Sequence, residues 1–245
     1  MNDLLKFVIE AHGGLDKWSL FESITAQLNI GGLTWKLKGY EGLLNNVNYL
    51  ASLHRQYGSH LQIFSPELKS VFEPGRVALE THDGRIVEEL LNPRASFVGQ
   101  QLTSPWNKLQ VIYFACYATW TYLTTPFNFA MPGFEVKEIE PWHESGEVWR
   151  RLEVLFPEHI ESHSKRQIFY YDQNGFLKRH DYWPDVLGGA PSAHYVFDYK
   201  QFSGIWMPTR RRVYRQDDHN GYKPEPLLVT IDIVDVKFEQ LQAVK

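Results

Sequence analysis

The sequence predicts a mainly β domain: one open, strongly curved antiparallel sheet enclosing a central apolar helix. Three observations predict it. Over most of the chain apolar residues alternate with polar ones, the period of a half-buried strand. One stretch, residues 106–122, abandons that alternation and carries a single charge, Lys108. The 8 Trp, 13 Tyr and 15 Phe are an unusually large share of rings, which fill wide concave spaces with few rotatable bonds. They serve either a large internal surface or a big core.

Asn2 or Asp3 can cap a short helix in which Leu4, Leu5, Val8, Ile9 and Ala11 recur at helical spacing, ending at Gly13-Gly14. A turn of helix over 15–20 follows. The period then becomes two: Ile24, Ala26, Leu28 and Ile30, and beyond Gly31-Gly32 also Leu33, Trp35 and Leu37. This reads as one long strand with a glycine kink or as a hairpin, and a sheet that must curve favours the kink. Further strands are expected over 47–54, 60–65, 69–73, 76–81 and 85–90, with turns at Pro74-Gly75 and Asp83-Gly84.

Ser104-Pro105 offer an N-cap and a first-turn proline for the apolar stretch, and Thr125-Pro126 ends it. A helix apolar on every side is buried on every side. A membrane span needs about 20 apolar residues; here Asn107, Lys108, Gln110, Thr119 and Thr121 interrupt a shorter run. Strands resume over 134–140, 147–156, 165–172, 176–183, 194–202, 206–215 and 227–238. In the last, the apolar phase slips between Ile233 and Val234, the mark of a bulge. No repeat or linker separates the halves, so one domain over 1–245 is expected. A chain of that size needs neither disulfide nor metal to be stable.

The net charge of −4 argues against nucleic acid as a partner. The one compact basic run, Arg210-Arg211-Arg212, cannot form a patch, because neighbours on a strand face opposite ways. Cys116, the only cysteine, lies in the apolar stretch and reads as a small buried hydrophobe; it excludes an internal disulfide. Residues 1–6 show no basic, apolar or cleavage region of a secretory leader, so the expected address is the cytoplasm.

Three passages in order carry a resemblance. A short helix ends in Ala11-His12-Gly13-Gly14; a central helix interrupts the sheet; and a closing passage runs from Phe197 through Tyr199, Gly204-Ile205 and Met207-Pro208-Thr209 to a last strand ending at Phe238. This resembles the bacterial lipoprotein-carrier superfamily, the LolA, LolB and LppX-like proteins, and within it a branch of cytoplasmic-looking members. The resemblance implies an unclosed barrel of about eleven antiparallel strands, plugged by helices, with a hydrophobic cavity for acyl chains. The chain departs from the carriers in lacking their leader and the lipid-attachment cysteine of some members. The hydrophobic cup is therefore expected, and carriage of lipoproteins across a periplasm is not.

The candidate site follows from the central helix. Phe114, Tyr117 and Trp120 are expected to face the sheet, Tyr113 and Tyr122 to border a cavity, and Trp35 to line its sheet side. With Tyr182, His194 and Arg211, the last meeting an acidic headgroup at the rim, these residues would hold a hydrophobic small molecule or lipid. The other reading is a filled core. No cofactor is expected. His159 and His163 stand four apart, which on a helix puts two imidazoles on one face, but the segment lies between strands and no third ligand is in register; a solvated loop is the simpler reading. His180 shares a face with Tyr182, and His194 with Asp198, whereas His180 and Asp181 point apart. An enzyme built on these His, Tyr and Asp residues is the alternative function, and a partner-binding protein with exposed sheet edges is the third.

Overall fold

The computed structural model describes residues 1–241. Helix α1 (Asp3–His12) starts at Asn2, whose side chain accepts from the amides of Leu4 and Leu5, and it buries Leu4, Leu5, Val8 and Ile9. Gly13 ends it at φ 128°; a Cβ there would lie 2.6 Å from the carbonyl oxygen of Gly204. The helix end thus rests directly on the turn of the closing passage. A single helical turn, α2 (Leu15–Trp18), leads into β1 (Phe21–Gly31), where Ile24, Ala26, Leu28 and Ile30 face the core.

The expected continuation of β1 does not occur. Gly32, at φ 106°, passes within 2.6 Å of the Leu228 carbonyl oxygen, measured from the Cβ it lacks, and the chain turns into a short helix, α3 (Leu33–Leu37). The carbonyls of Leu227 and Leu228 accept from the amides of Leu33 and Thr34 respectively, so the helix start needs no side-chain cap. As a strand, Leu33, Trp35 and Leu37 would share one face. As a helix, Leu33 and Leu37 share a face and Trp35 points away from them.

The remaining strands of the first half are β2 (Val47–Ser52), β3 (Gly58–His60), β4 (Leu68–Glu73), β5 (Arg76–Thr81) and β6 (Ile86–Leu91). After helix α4 (Lys108–Thr124) come β7 (Glu135–Glu144), β8 (Glu147–Leu155), β9 (Arg166–Tyr171) and β10 (Leu177–Tyr182). Then follow β11 (Ser192–Phe202), β12 (Ile205–Gln216), β13 (Tyr222–Lys223) and β14 (Val229–Gln240). The predicted strand over 60–65 retreats to β3, and the pair of residues in β13 was not foreseen. Fourteen strands stand among the described residues, where the resemblance implied about eleven. The Val234 bulge is present: Gln27 pairs with Asp235 and Leu28 with Ile233, leaving Val234 unpaired and exposed.

All of them form one antiparallel sheet in the order β6-β5-β4-β3-β2-β1-β14-β12-β11-β10-β9-β8-β7, with β13 beside β12. β6 and β7 are its two opposite edges, so the segment joining them must cross the whole concave face. That segment contains α4. The topology therefore gives the physical reason for a helix without a polar face: every residue from Leu109 to Thr124 is buried. Its start is at Asn107, not Ser104. Asn107 Oδ1 accepts from the Gln110 amide (2.8 Å) while Gln110 Oε1 accepts from the Asn107 amide (3.0 Å), a reciprocal capping box. Trp106 is held outside the helix, donating its amide to the Lys38 carbonyl.

Candidate functional site

The sides of α4 are occupied in turn. Trp120 Nε1 donates to the Ser52 carbonyl of β2 (2.9 Å), and the Tyr49 hydroxyl donates to the Cys116 carbonyl (2.8 Å). Tyr113 donates to Glu161 (2.5 Å), which also receives Arg94 Nε (3.1 Å) and is fixed through its backbone by Gln56. Phe114 meets Trp35 and Trp106 edge-on or tilted. Tyr117 packs against His163.

The C-terminal end of α4 sits over a polar cluster that β10, β11 and β12 supply from below. His180 and Tyr182 come from the inward face of β10, His194 from β11 and Arg211 from β12. The Tyr122 hydroxyl bonds His163 Nε2 at 2.7 Å and the Tyr182 hydroxyl at 3.1 Å, and the His163 ring stacks on Tyr182 at 4.0 Å. His180 bonds Gln167 Oε1 at 2.6 Å and stacks on Phe169. Because the Gln167 amide nitrogen donates to Ser164, that Oε1 accepts and His180 carries its proton on Nε2. His194 makes no hydrogen bond through either ring nitrogen among the described residues.

Arg211, 2% exposed, has no carboxylate partner within ion-pair distance among the described residues. It donates to the Tyr122 carbonyl (2.8 Å) and lies over the Tyr122 ring. That carbonyl belongs to the last turn of α4, where unpaired oxygens and the helix dipole present negative charge. The helix end is therefore the counter-charge of this cation. Burial nevertheless pushes the guanidinium down to about 10. Burial likewise pushes His163 and His60 down to about 3 and His12 to about 4, and holds His180 and His194 well below the ordinary histidine value. These rings are neutral at pH 7, and their partners are neutral groups.

Several expectations change here. Arg211 stands in the interior, not at a rim, while its neighbours face outward and pair with Asp198 (Arg210, 2.7 Å) and Asp232 (Arg212, 2.8 Å). Asp198 does not join His194, because φ 58° at Asp198 breaks the alternation of β11 and turns its carboxylate outward. His159 is exposed and His163 buried; residues 158–163 form no helix, so the two do not share a face, and no metal-binding group occurs among the described residues. The sequence placed His163 in a solvated loop, and it sits at the centre of the cluster. Its only signal was an apolar neighbourhood, Phe156 and Ile160 before it and Ile168 after.

Cys116 is fully buried, with Sγ 3.6 Å from His60 Nδ1 and 3.8 Å from Ser70 Oγ. Burial pushes the thiol up to about 12 and the imidazole down to about 3, so the pair holds a thiol, not a thiolate. A disulfide reagent is expected to find no reactive thiol in the native protein and one equivalent in denaturant, at least ~1,000-fold slower without it, the scale of a global unfolding equilibrium. Rapid native labelling would show a route to the interior.

Two spaces matter. Between α4 and the sheet lies a void of about 20 Å³, walled by residues that include Trp35, Phe114, Tyr122 and Tyr182. It is the size of one water, whose share of the liquid is ~30 Å³. The other is a pocket of about 300 Å³ at the mouth of the sheet, lined by Leu33, Leu37, Leu102, Pro184, Leu187 and Leu228 among others. None of the nine residues expected to bind ligand lines this pocket: Trp35, Phe114, Tyr122 and Tyr182 wall the small void, and Tyr113, Tyr117, Trp120, His194 and Arg211 are packed in the interior. Thr34 and Leu228 line the pocket, and the residues next to them in the chain, Trp35 and Val229, line the void.

An open antiparallel half-barrel crossed on its concave side by a buried helix is the LolA-like fold, and this chain has it. Among solved structures it is similar to a DUF1329 family protein from Desulfovibrio piger (10% identity, 98% of this chain and 93% of the other, TM-score 0.55). It is similar also to a LolA superfamily protein from Nitrosomonas europaea (8% identity, 96% and 93%, TM-score 0.53). A third, from Vibrio parahaemolyticus, is assigned by name to outer membrane lipoprotein sorting (10% identity, 98% and 94%, TM-score 0.53). No family model and no curated protein matches the sequence, so the likeness is one of fold. No helix among the described residues is long and apolar enough to cross a membrane.

Proposed function

We propose that the protein binds a hydrophobic small molecule, a lipid or acyl chain, in the pocket at the mouth of the half-barrel. The observation that carries this reading is the 300 Å³ pocket with leucine and proline walls beside an interior that is otherwise filled. A fold shared with proteins of lipoprotein-sorting name supports it. At ~30 Å³ per water-sized group the pocket takes a chain of about ten carbons. Burying eight methylenes contributes roughly 6 kcal/mol before ordering costs are subtracted, which sets an affinity of about tens of micromolar at best, and weaker once those costs are counted. In this reading Trp35, Phe114 and Tyr182 form the partition a longer chain meets beyond the pocket.

Displacement of a fluorescent fatty acid tests it. Leu187→Trp, filling the pocket, is expected to weaken binding at least ~10-fold. Trp35→Leu, thinning the partition, is expected to shift preference towards longer chains. Saturable binding unaffected by Leu187→Trp would remove the pocket from the reading, and no binding of any chain length would end it.

A further inference from the structure

The rim of the mouth pocket carries two cations without carboxylate partners. Arg215 on β12 and Lys223 on β13 are directly opposite in antiparallel register, and both line the pocket. Paired residues point to the same side of a sheet, so the two positive charges face one another, an arrangement that destabilises a sheet unless something lies between them. Both side chains are exposed, and neither makes an ion pair within 4 Å among the described residues.

The rest of β12 makes the contrast. Arg210 meets Asp198, Arg212 meets Asp232, and Arg211 meets the carbonyl end of α4. Arg215 is the arginine of this strand with no such partner. Lys38, a third cation at the wall, is engaged: its Nζ donates to the carbonyls of Leu102 (2.7 Å), Ser104 (3.1 Å) and Gln101 (3.4 Å). One carboxylate, Glu225, also lines the pocket and forms no ion pair among the described residues, so the two exposed cations outnumber it. β13 is two residues long and pairs only with β12, so its place in the sheet consists in setting Tyr222 and Lys223 against Gln216 and Arg215.

From this juxtaposition of an apolar pocket and an unmatched cation pair we infer that the ligand is a single-chain amphiphile with an anionic head, carboxylate or phosphate. The head lies between Arg215 and Lys223, and the chain lies along Leu33, Leu37 and Leu187. The inference rests on the apolar reading of the pocket and adds to it the class of head group. A guanidinium offers two parallel donors to carboxylate or phosphate, and a neighbouring ammonium adds a point charge. Because both groups are exposed, salt weakens their contribution.

Calorimetric titration of the full chain with four ten-carbon ligands below micelle formation tests it: decanoate, decyl phosphate, decanol and decyltrimethylammonium. The two anions are expected to bind roughly 10-fold more tightly than decanol, with decyltrimethylammonium weakest, and to lose that advantage at high salt. The Arg215→Gln/Lys223→Gln double variant is expected to bring both anions to the level of decanol. Decanoate against decyl phosphate identifies the preferred head. Equal affinity for decanol and the anions, or a double variant that binds anions as before, overturns the head-group inference and leaves the apolar pocket standing. Failure of all four to bind overturns both.

Discussion

Acidification from pH 7 to pH 5 is expected to unfold the protein. His12, His60, His163, His180 and His194 are buried and neutral, each held by burial below the ordinary histidine value of 6.5. The unfolded chain takes up a proton at each near pH 6.5 and the folded chain does not. Stability is therefore full above pH 6.5 and lost as pH falls below it. Between pH 7 and pH 5 the loss is about 2 kcal/mol per ring, roughly 10 kcal/mol for five, against a typical total of ~5–15 kcal/mol. Asp181 and Asp185, both raised by burial, titrate in the opposite sense, but they are two groups against five. Denaturant titrations followed by tryptophan fluorescence at several pH values check this, and His180→Phe is expected to flatten the slope by about one proton. A stability unchanged between pH 7 and 5 would mean that the buried rings accept protons in place.

The second large effect concerns the outer face of the sheet. Arg179 is fully buried there, its Nε and Nη2 donating to the two oxygens of Asp181 at 2.6 and 2.9 Å. Nη1 donates to Glu144 and to the Tyr195 hydroxyl, both at 3.1 Å, and Nη2 also to the Asn220 carbonyl at 2.6 Å. Trp142, Tyr170 and Tyr195 surround the guanidinium. Asp181→Leu leaves a buried charge short of its main partner and is expected to cost about 3–5 kcal/mol. In a chain of this size that lowers the melting temperature by about 10 °C. Arg179→Met/Asp181→Leu removes both charges and is expected to recover most of the loss, because desolvation offsets much of what a buried pair contributes. If Asp181→Leu changed stability by less than ~1 kcal/mol, Glu144 and the surrounding rings would be sufficient counter-charge. Since Asn220 belongs to the turn leading to β13, the same variant is expected to loosen the strap that carries Lys223.

Local pattern carried far in this chain. The alternation of Ile24, Ala26, Leu28 and Ile30 is the inward face of β1, and the phase slip at Val234 is a bulge in β14. Both were legible because one-sided burial writes a period of two into a strand. Two places misled for the same reason. Leu33, Trp35 and Leu37 fit a period of two as well as one helical turn, and the backbone of Leu228 pressing on Gly32 decided between them. Asp198 fits the inward phase of β11, and its own left-handed backbone turns it outward. The pocket was less legible, since Leu33, Leu102, Leu187 and Leu228 reach it from four separate segments.

By itself the sequence determined the curved antiparallel sheet and the buried rod that crosses it, because strand and helix periods, and the absence of a polar face, are properties of neighbours along the chain. Only the tertiary structure decided that the space between rod and sheet is nearly filled, that an apolar pocket lies at the mouth, and that Arg211 answers the helix end while Arg215 faces Lys223. Contacts between distant segments depend on register and crossing geometry, and no local period encodes them.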